Sequence, residues 1–500
     1  MQHVDPIRSP GADRSPGRCL RGVAALVVAM QAACGLADPE AESVDEIIIV
    51  GADHQSGLAD EWLGGFFGVR VQAGGRPLAG ARVKWELVMG SGEPSTDSFT
   101  DDSGFTVGWA RLGPPGRYRL RASAGRHSVT FDAEGFPNMA DRVVLETSLP
   151  FPPNYGVHDT FVRDGLLVVC AWNSGLFVYD IGGGFRGGTP TAPVLVTQFI
   201  PSDAGVPGGP QVHNAWWLRD RATGALRYLF VGQEGPRVQG DRSSGDIHLI
   251  DLDNLASPRE IGTFRLPGAG THNFWIDENK AVLYAAYYNG GVVALDVSGT
   301  LIGGLSDRLL AQSTPGGPGN TWVWAVQLRE GALWAIDTFS GLWRLDPASL
   351  QPIAGGLNIP DYFSTELWVG RNSIWTGTRG SRGTRPNGSP ATVLVWDPRS
   401  GTPIRVGSVA TAAFGITDLQ AADDDRTLFV STEAGVSPGI HVFRVDPLTR
   451  SHHPLAFLRV NDGIHTATLA NVSGRALLFA AKNPPNPALL IYDVTDLTSP

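Results

Sequence analysis

The chain has 500 residues, of which 42% are apolar and 18% are charged, values typical of a soluble globular protein with two or three domains. Its 63 glycines and 36 prolines follow no collagen period, so they indicate the many tight turns of an all-β chain. The formal net charge of −10 argues against nucleic acid and against an anionic membrane surface as partners.

Residues 1–37 have the pattern of an export signal peptide, in which a basic region precedes a short apolar run. The apolar run, Val23 to Ala33, is too short to span a bilayer. After it, the stretch from Gln31 to Gly35 resembles a bacterial lipobox and implies lipidation of Cys34, although Gln31 stands where the lipobox has an apolar residue. Ordinary cleavage after Ala37 is the alternative. Both predict an exported protein of the periplasm, outer membrane or cell surface, with any membrane contact made through the lipid.

The cysteines predict a fold without disulfides. Only Cys19, Cys34 and Cys170 are present, and the first two lie in the predicted leader. Cys170 sits within an apolar run, as a small core residue does. Burial of the core must therefore stabilise the protein.

Residues 38–46 form an acidic linker, and residues 47–135 predict a β-sandwich. Short alternating segments there are separated by turn signals every eight to twelve residues. In the segment from Arg117 to Ala122, apolar and arginine side chains alternate, which indicates a half-buried strand.

Three stretches of this region resemble bacterial Ig-like domains of the invasin and intimin type. They are Gly51 to Gly57, Arg76 to Trp85, and Thr100 to Phe105. The resemblance implies a spacer or adhesive module and assigns no catalytic residue to it.

Residues 141–500 repeat a unit that ends in an acid, which predicts a seven-bladed β-propeller. The closing acids are Asp180, Asp251, Asp296, Asp346, Asp397, Asp446 and Asp493, at spacings of 71, 45, 50, 51, 49 and 47 residues. A further apolar run after each of the first six acids predicts an outer strand. The last unit lacks that strand, and residues 142–149 are predicted to supply it and close the ring. The longest spacing contains two Gly- and Pro-rich loops, at 201–211 and 235–245.

The repeated region also resembles LVIVD-repeat propellers of bacterial surface proteins, including the choice-of-anchor type. The likeness lies in Val293 to Val297, in Leu490 to Val494, and in the pairs His213-Asn214 and His272-Asn273. The family implies an exported propeller but does not fix a reaction.

In a propeller, the start of the innermost strand and the end of the second strand meet at one mouth of the central channel, where ligands bind. The first group of candidate ligand-binding residues comprises His158, Asp159, His213, Asn214, His272, Asn273, Trp324, Glu366, Asp418 and His465. The second group comprises Trp172, Glu234 and Tyr287, from loops that also carry Tyr288, Thr338, Arg379, Glu433 and Asn483.

Two interpretations of the four histidines remain open. In one, His158, His213, His272 and His465 converge on one divalent metal ion such as zinc, copper or iron, with Asp159, Glu366 or Asp418 as an added ligand or second shell. In the other, each histidine forms a structural hydrogen bond within its own blade.

Two functions follow from these interpretations. The first is a non-enzymatic, monomeric surface protein in which an Ig-like spacer holds a propeller that binds a small molecule or a surface protein at the His-lined mouth. The alternative is a metal-dependent periplasmic enzyme, a lyase, lactonase or oxidoreductase, that uses the histidine cluster.

Overall fold

A computed structural model describes residues 44–498, apart from 52, 153–155, 203–208, 221–222, 239–241, 381–390, 412, 434 and 436. The predicted leader with Cys34, most of the acidic linker and parts of the two Gly- and Pro-rich loops lie outside these residues. Among the helices of the described part, none has the length and hydrophobicity needed to cross a bilayer.

The first unit of the chain is built from short strands. They are β1 (Glu46–Ile49), β2 (Gln55–Leu58), β3 (Phe67–Ala73), β4 (Arg76–Pro77), β5 (Arg82–Met89), β6 (Gly92–Pro94), β7 (Ser98–Phe99), β8 (Phe105–Gly108), β9 (Ala110–Leu112), β10 (Gly116–Ala124) and β11 (His127–Phe136). One sheet has the order β1-β3-β4 with β8 on the other side of β3, a second has the order β2-β11-β10-β5-β7, and β6 pairs with β9.

Alternation of side chains gives this unit its core. In β10, Tyr118 and Leu120 are buried while Arg119 is exposed. The buried face meets Trp85 and Phe131, whose ring centroids lie 6.2 Å apart. Because apolar burial is the main stabilising contribution, this cluster holds the two sheets together.

Seven four-stranded sheets follow in the described residues. The first sheet contains β13 (Asp159–Arg163), β14 (Leu166–Cys170), β15 (Leu176–Asp180) and β16 (Val194–Phe199), and the second contains β17 (Val212–Arg219), β18 (Leu226–Gln233), β21 (Ile247–Asp251) and β22 (Arg259–Phe264), with a hairpin of β19 (Gly235–Val238) and β20 (Arg242–Ser244) between β18 and β21. The third sheet contains β23 (Phe274–Asp277), β24 (Val282–Ala286), β25 (Val292–Asp296) and β26 (Leu309–Ser313), and the fourth contains β27 (Val323–Arg329), β28 (Ala332–Asp337), β29 (Gly341–Leu345) and β30 (Pro352–Gly355). The fifth sheet contains β31 (Phe363–Val369), β32 (Ile374–Arg379), β33 (Thr392–Asp397) and β34 (Ile404–Ala410), and the sixth contains β35 (Ile416–Ala421), β36 (Thr427–Thr432), β37 (Gly439–Val445) and β38 (His452–Arg459).

The last sheet combines both ends of this region. It contains β39 (Ile464–Val472), β40 (Arg475–Lys482) and β41 (Ala488–Asp493), with β12 (Val144–Pro150) paired antiparallel to β41. Two 3₁₀ turns, Met139–Arg142 and Ser306–Arg308, and a short helix α1 (Thr495–Thr498) complete the described elements.

Apolar clusters join each sheet to the next and the last sheet to the first. Between the first and second sheets, Val168 packs with Trp217 and Val231. Between the seventh and first sheets, Val169 packs in one cluster with Phe479. The innermost strands also contact their neighbours, including β39 with β13. The sheets therefore close around a central channel.

The N-terminal unit rests on the sixth sheet. The Arg459 guanidinium on β38 lies 2.6 Å from the Glu61 carboxylate, and the ring of Phe136 approaches that of His453 at 6.0 Å. This contact lies on the outer edge of the ring, away from the channel.

Candidate metal centre at the channel mouth

The four candidate histidines lie at the same level of four innermost strands. His158 lies one residue before β13 and His272 lies two residues before β23, while His213 and His465 are the second residues of β17 and β39. The strand starts meet at one mouth of the channel, so the repeat brings together side chains up to 307 residues apart.

These histidines form a continuous arc, here called the histidine arc. The ring centroids of His465 and His158 are 4.0 Å apart, those of His158 and His213 4.2 Å, and those of His213 and His272 4.1 Å. The Trp324 ring continues the arc 4.6 Å from His272. Four imidazoles from four sheets thus form a chain of neighbouring ring contacts.

Glu234, at the end of β18, lies against the middle of the histidine arc. Its Oε2 is 3.3 Å from Nε2 of His158 and 3.6 Å from Nε2 of His213. The Tyr288 hydroxyl donates a hydrogen bond to the other carboxylate oxygen. One potential ligand atom from each of His158, His213 and Glu234 lies within 4.8 Å of the other two. Two nitrogens and one oxygen therefore surround a common point.

Hydrogen bonds orient the two outer histidines of the arc. Nδ1 of His272 lies 2.6 Å from the Trp324 carbonyl oxygen, so it donates and leaves the Nε2 lone pair available. Nδ1 of His465 bonds to the Glu433 carboxylate, which also accepts a 3.2 Å hydrogen bond from Asn483. Carbonyl and carboxylate partners of this kind fix metal-binding histidines in many proteins.

His158 and His213 have no such fixed partner. Nδ1 of each ring is buried and has no hydrogen bond to any described residue. A buried ring nitrogen without a hydrogen-bond partner lowers the free energy of unfolding, so this pair of histidines makes the protein less stable. That cost is expected at a functional site and is unusual in a purely structural cluster.

Burial keeps three of the imidazoles neutral. Removal from water lowers the pKa of His158 and of His213 well below the ordinary value, and lowers the pKa of His272 to about 4. Burial acts in the same direction on His465, but the Glu433 carboxylate outweighs it and raises that pKa. Neutral imidazoles are the form of histidine that binds metals.

Two of the carboxyl groups at the mouth, Glu234 and Glu433, have lowered pKa values. Burial raises the pKa of Glu234, whereas the Tyr288 hydrogen bond and the charge of His465 lower it, and His213 and His272 add to the lowering only in their protonated form. The pKa of Glu433 is lowered because His465 and its hydrogen bond overcome burial. Neutral nitrogen donors beside a carboxylate oxygen suit zinc, copper or iron.

A second layer of polar residues lies one position further along the innermost strands. Asp159, Asn214, Asn273, Glu366 and Asp418 line a channel cavity of about 280 Å³. Burial raises the pKa of Asp159 to about 7, the pKa of Asp418 to about 7 and the pKa of Glu366 well above its usual range. This layer contains few full negative charges at neutral pH.

The second layer supports the arc without joining its donor group. Glu366 accepts hydrogen bonds from Trp324 Nε1 at 2.7 Å and from Asn273 Nδ2 at 3.1 Å. Of the acids expected to add a ligand, the structure groups none of Asp159, Glu366 and Asp418 with the histidines, and it places Glu234 there instead. Glu366 therefore positions the Trp324 ring, which packs against His272.

Aromatic side chains wall the mouth. The Trp172 ring stacks on His158 at 4.7 Å, and the Tyr288 ring lies 5.1 Å from His272. Tyr287, expected at the mouth, is buried in the core between the second and third sheets, with its hydroxyl 3.4 Å from the Phe264 carbonyl oxygen. Trp172 and Tyr288 both have positive φ, 47° and 41°. That left-handed conformation ends the strand alternation and turns the second tyrosine, rather than the first, toward the channel.

The contacts of the arc join different sheets. The Trp324 carbonyl that binds His272 belongs to the following sheet, and the Glu433 that binds His465 belongs to the preceding one. Glu234 lies close to histidines of two sheets. Structural hydrogen bonds confined to single blades do not describe this arrangement.

Comparisons with known proteins relate the chain to others through its fold. No protein-family model matches the sequence, and no curated protein matches it. Among solved structures, a chain of the mitotic checkpoint complex has 13% identity and a TM-score of 0.50, over 70% of this chain and 95% of that chain. The WD40 β-propeller domain of Doa1 has 8% identity and a TM-score of 0.49, over 70% and 97%. The β-propeller domain of Cps50 (Swd1) from Myceliophteria thermophila has 12% identity and a TM-score of 0.48, over 71% and 100%.

The chain therefore contains a β-propeller, consistent with its ring of sheets. At such identities the likeness concerns the fold alone, and the function has to be argued from the channel mouth.

Proposed function

We propose that this protein is an exported propeller that binds its ligand through one divalent metal ion at the His-lined mouth. The observation that carries the proposal is the convergence of His158, His213 and Glu234, two neutral imidazoles and an ionised carboxylate, on one point. His465 and His272 flank this group, with ring centroids 4.0 Å from His158 and 4.1 Å from His213. A bound ion coordinates and polarises an oxygen or nitrogen atom of the ligand.

The rest of the chain supports a binding role. A propeller of seven blades closed by β12 is a rigid scaffold, and we propose that the N-terminal unit is an Ig-like spacer of the LVIVD-type surface protein. Its support is the arrangement of its strands in two larger sheets and the β6–β9 pair, together with its contact with the sixth sheet. The partner is a small molecule or a surface protein, and the protein acts as a monomer.

Metal analysis of the purified full chain tests this function. Purified without chelator and offered zinc, copper or iron, the wild-type chain is expected to hold about one ion. His213→Ala and Glu234→Gln each remove one donor and should weaken uptake at least about tenfold. His441→Ala is the matched control, since His441 is hydrogen-bonded to the Ser437 carbonyl oxygen at 3.0 Å and lies in the sixth sheet. Wild-type protein with less than about 0.1 ion per chain and no uptake contradicts the proposal.

Export remains a proposal that rests on residues 1–37. The arginine-rich start, the apolar run and the lipobox-like stretch support it. Mass spectrometry of the mature N-terminus is expected to find either a lipidated Cys34 or a free end after Ala37. A cell-associated chain that still carries residues 1–37 contradicts export.

The metal-dependent enzyme is a second candidate, favoured by one observation. His465, with a raised pKa, is paired with Glu433 beside the histidine arc, where its imidazolium would supply a proton to a bound substrate. The metal analysis also bears on this candidate, because a chain that takes up no ion cannot be such an enzyme.

A further inference from the structure

Arg379 is the charged residue at the mouth that the metal site does not use. It ends β32 in the fifth sheet, and its Cζ lies 4.8 Å from the centroid of the Trp324 ring. The side chain is partly buried, and among described residues it makes no hydrogen bond and no ion pair. Its one recorded side-chain contact is with the aromatic face.

The other partly buried arginines of the described propeller each have a partner within the protein, either a carboxylate or a backbone carbonyl oxygen. Arg227 bonds to Asp251 through two nitrogens at 3.1 Å, and the Arg475 Nε lies 2.9 Å from Asp493. Burial lowers the pKa of Arg379 because no acid is close enough to compensate for lost hydration. A guanidinium withdrawn from water without an acceptor is costly, and since no described residue supplies one, a ligand at the mouth can.

The carboxylates of the mouth are already engaged. Glu234 accepts from Tyr288, Glu433 bonds His465 and Asn483, and Glu366 accepts from Trp324 and Asn273. None of these carboxylates lies within 4 Å of the Arg379 guanidinium among the described contacts. No described residue therefore occupies the five N–H donors of Arg379, and a ligand can accept hydrogen bonds from them.

Arg379 and the histidine arc lie beside the same tryptophan. The Trp324 ring contacts both the Arg379 guanidinium and the His272 ring, at 4.8 and 4.6 Å. With a divalent ion bound, the ion and the guanidinium together outweigh the charges of Glu234 and Glu433. The filled mouth is then electropositive, although the whole chain is acidic.

We infer that the ligand of the mouth is a small molecule carrying an oxyanion group, a carboxylate or a phosphate, and that Arg379 binds this group beside the metal ion. This inference rests on the proposed metal site. The planar fork of arginine binds two oxygens of such a group with parallel N–H···O bonds, while a neighbouring ligand atom reaches the ion. Arg379 is a specificity residue in this arrangement.

Calorimetric titration of the zinc-loaded full chain, after removal of free zinc, tests this assignment with acetate and inorganic phosphate as probes. The wild type is expected to bind one of the two, and the preferred probe identifies the group as a carboxylate or a phosphate. Arg379→Gln should bind that probe at least about tenfold more weakly, with unchanged zinc content, because a charge-assisted pair is lost. Arg379→Lys should recover part of the affinity, since it restores the charge but not the fork.

The matched control is Arg399→Gln, which removes an exposed arginine paired with Asp397 outside the mouth and should bind as the wild type does. Binding of neither probe by zinc-loaded wild type overturns the inference, as does equal binding by Arg379→Gln with an unchanged thermal midpoint. If the chain takes up no zinc but Arg379 still determines probe binding, the proposed metal function fails and the anion site stands.

Discussion

Asp180 shows what the repeated closing acids do. Its carboxylate accepts hydrogen bonds from the backbone amides of Gly182, Gly183, Arg186 and Gly188 at 2.6 to 3.2 Å. Asp346 in the fourth sheet likewise accepts from the amides two and three positions later. The acid recurs because it stabilises the turn between the third and fourth strands, where an aspartate can satisfy amides that the sheet leaves unpaired.

Replacement of Asp180 tests this role through pH. Burial alone raises the pKa of this fully buried carboxyl, but the four amides outweigh burial and lower the pKa to about 2. Its stabilisation is therefore complete above the unfolded pKa of about 3.9 and is lost as the pH falls through about 2. Asp180→Asn should lower the free energy of unfolding by about 2 kcal/mol at pH 7, since charge-assisted hydrogen bonds are lost.

Urea unfolding of wild type and variant across this pH range is the measurement. The difference between them should shrink as the pH approaches 2, whereas Asp307→Asn, an exposed aspartate on a short turn, should change little at any pH. A difference that stays constant with pH contradicts the role given to the Asp180 charge.

At the residue scale, the repeat spacing predicts that the four histidines lie together, but it does not predict which of the other candidate residues contact them. Alignment on the closing acids places the histidines at equivalent strand starts. Glu234 stands out only in the structure, because the tyrosine that orients its carboxylate belongs to another sheet. Tyr287 is wrongly expected at the mouth because strand alternation does not foresee the positive φ of Tyr288.

Among the elements, β12 joins the first residues of the propeller region to its last strand. Ser148 lies opposite Leu490 and Pro150 opposite Ala488 in the antiparallel pair. Arg475 of β40 contacts both Glu146 of β12 and Asp493 of β41. One guanidinium thus connects three strands of the seventh sheet, across the seam where the ring closes.

Glu146→Gln tests the importance of this seam. The Glu146 side chain is only 8% exposed, while Arg475 is partly solvated, so the loss in unfolding free energy should be about 1 kcal/mol. A double-mutant cycle with Arg475→Gln should show coupling of similar size. Glu134→Gln, on an exposed position of β11, serves as the control. Equal thermal midpoints for Glu146→Gln and the control would show that the Glu146–Arg475 contact does not stabilise the seam.

The sequence pattern predicts the closing strand to within two residues but misses a hairpin. The closing strand is expected at residues 142–149 and is found at Val144–Pro150, because Asn138 caps a 3₁₀ turn that occupies Met139–Arg142. The glycines and prolines in the long spacing before Asp251 predict loops, yet part of this segment forms the hairpin of β19 and β20. Short hairpins of this kind depend on tertiary support that local composition does not reveal.

At the scale of the whole molecule, the channel mouth of a rigid ring combines side chains from different sheets, so no single sheet contains the site. Each sheet supplies one or two side chains to the mouth, and the apolar clusters between sheets fix their separation. The propeller fold could be predicted because the period is visible in sequence. The grouping of Glu234 with His158 and His213 could not, because it depends on distances between side chains of different sheets.

The central claim is that His158, His213 and Glu234 hold a metal ion, and anomalous X-ray diffraction from zinc-loaded crystals tests it most directly. The account predicts one strong peak at the channel mouth, about 2.0–2.2 Å from a ring nitrogen of each histidine and from a Glu234 oxygen. Zinc-loaded crystals without a peak at the mouth, with Glu234 still in contact with both imidazoles, would contradict it.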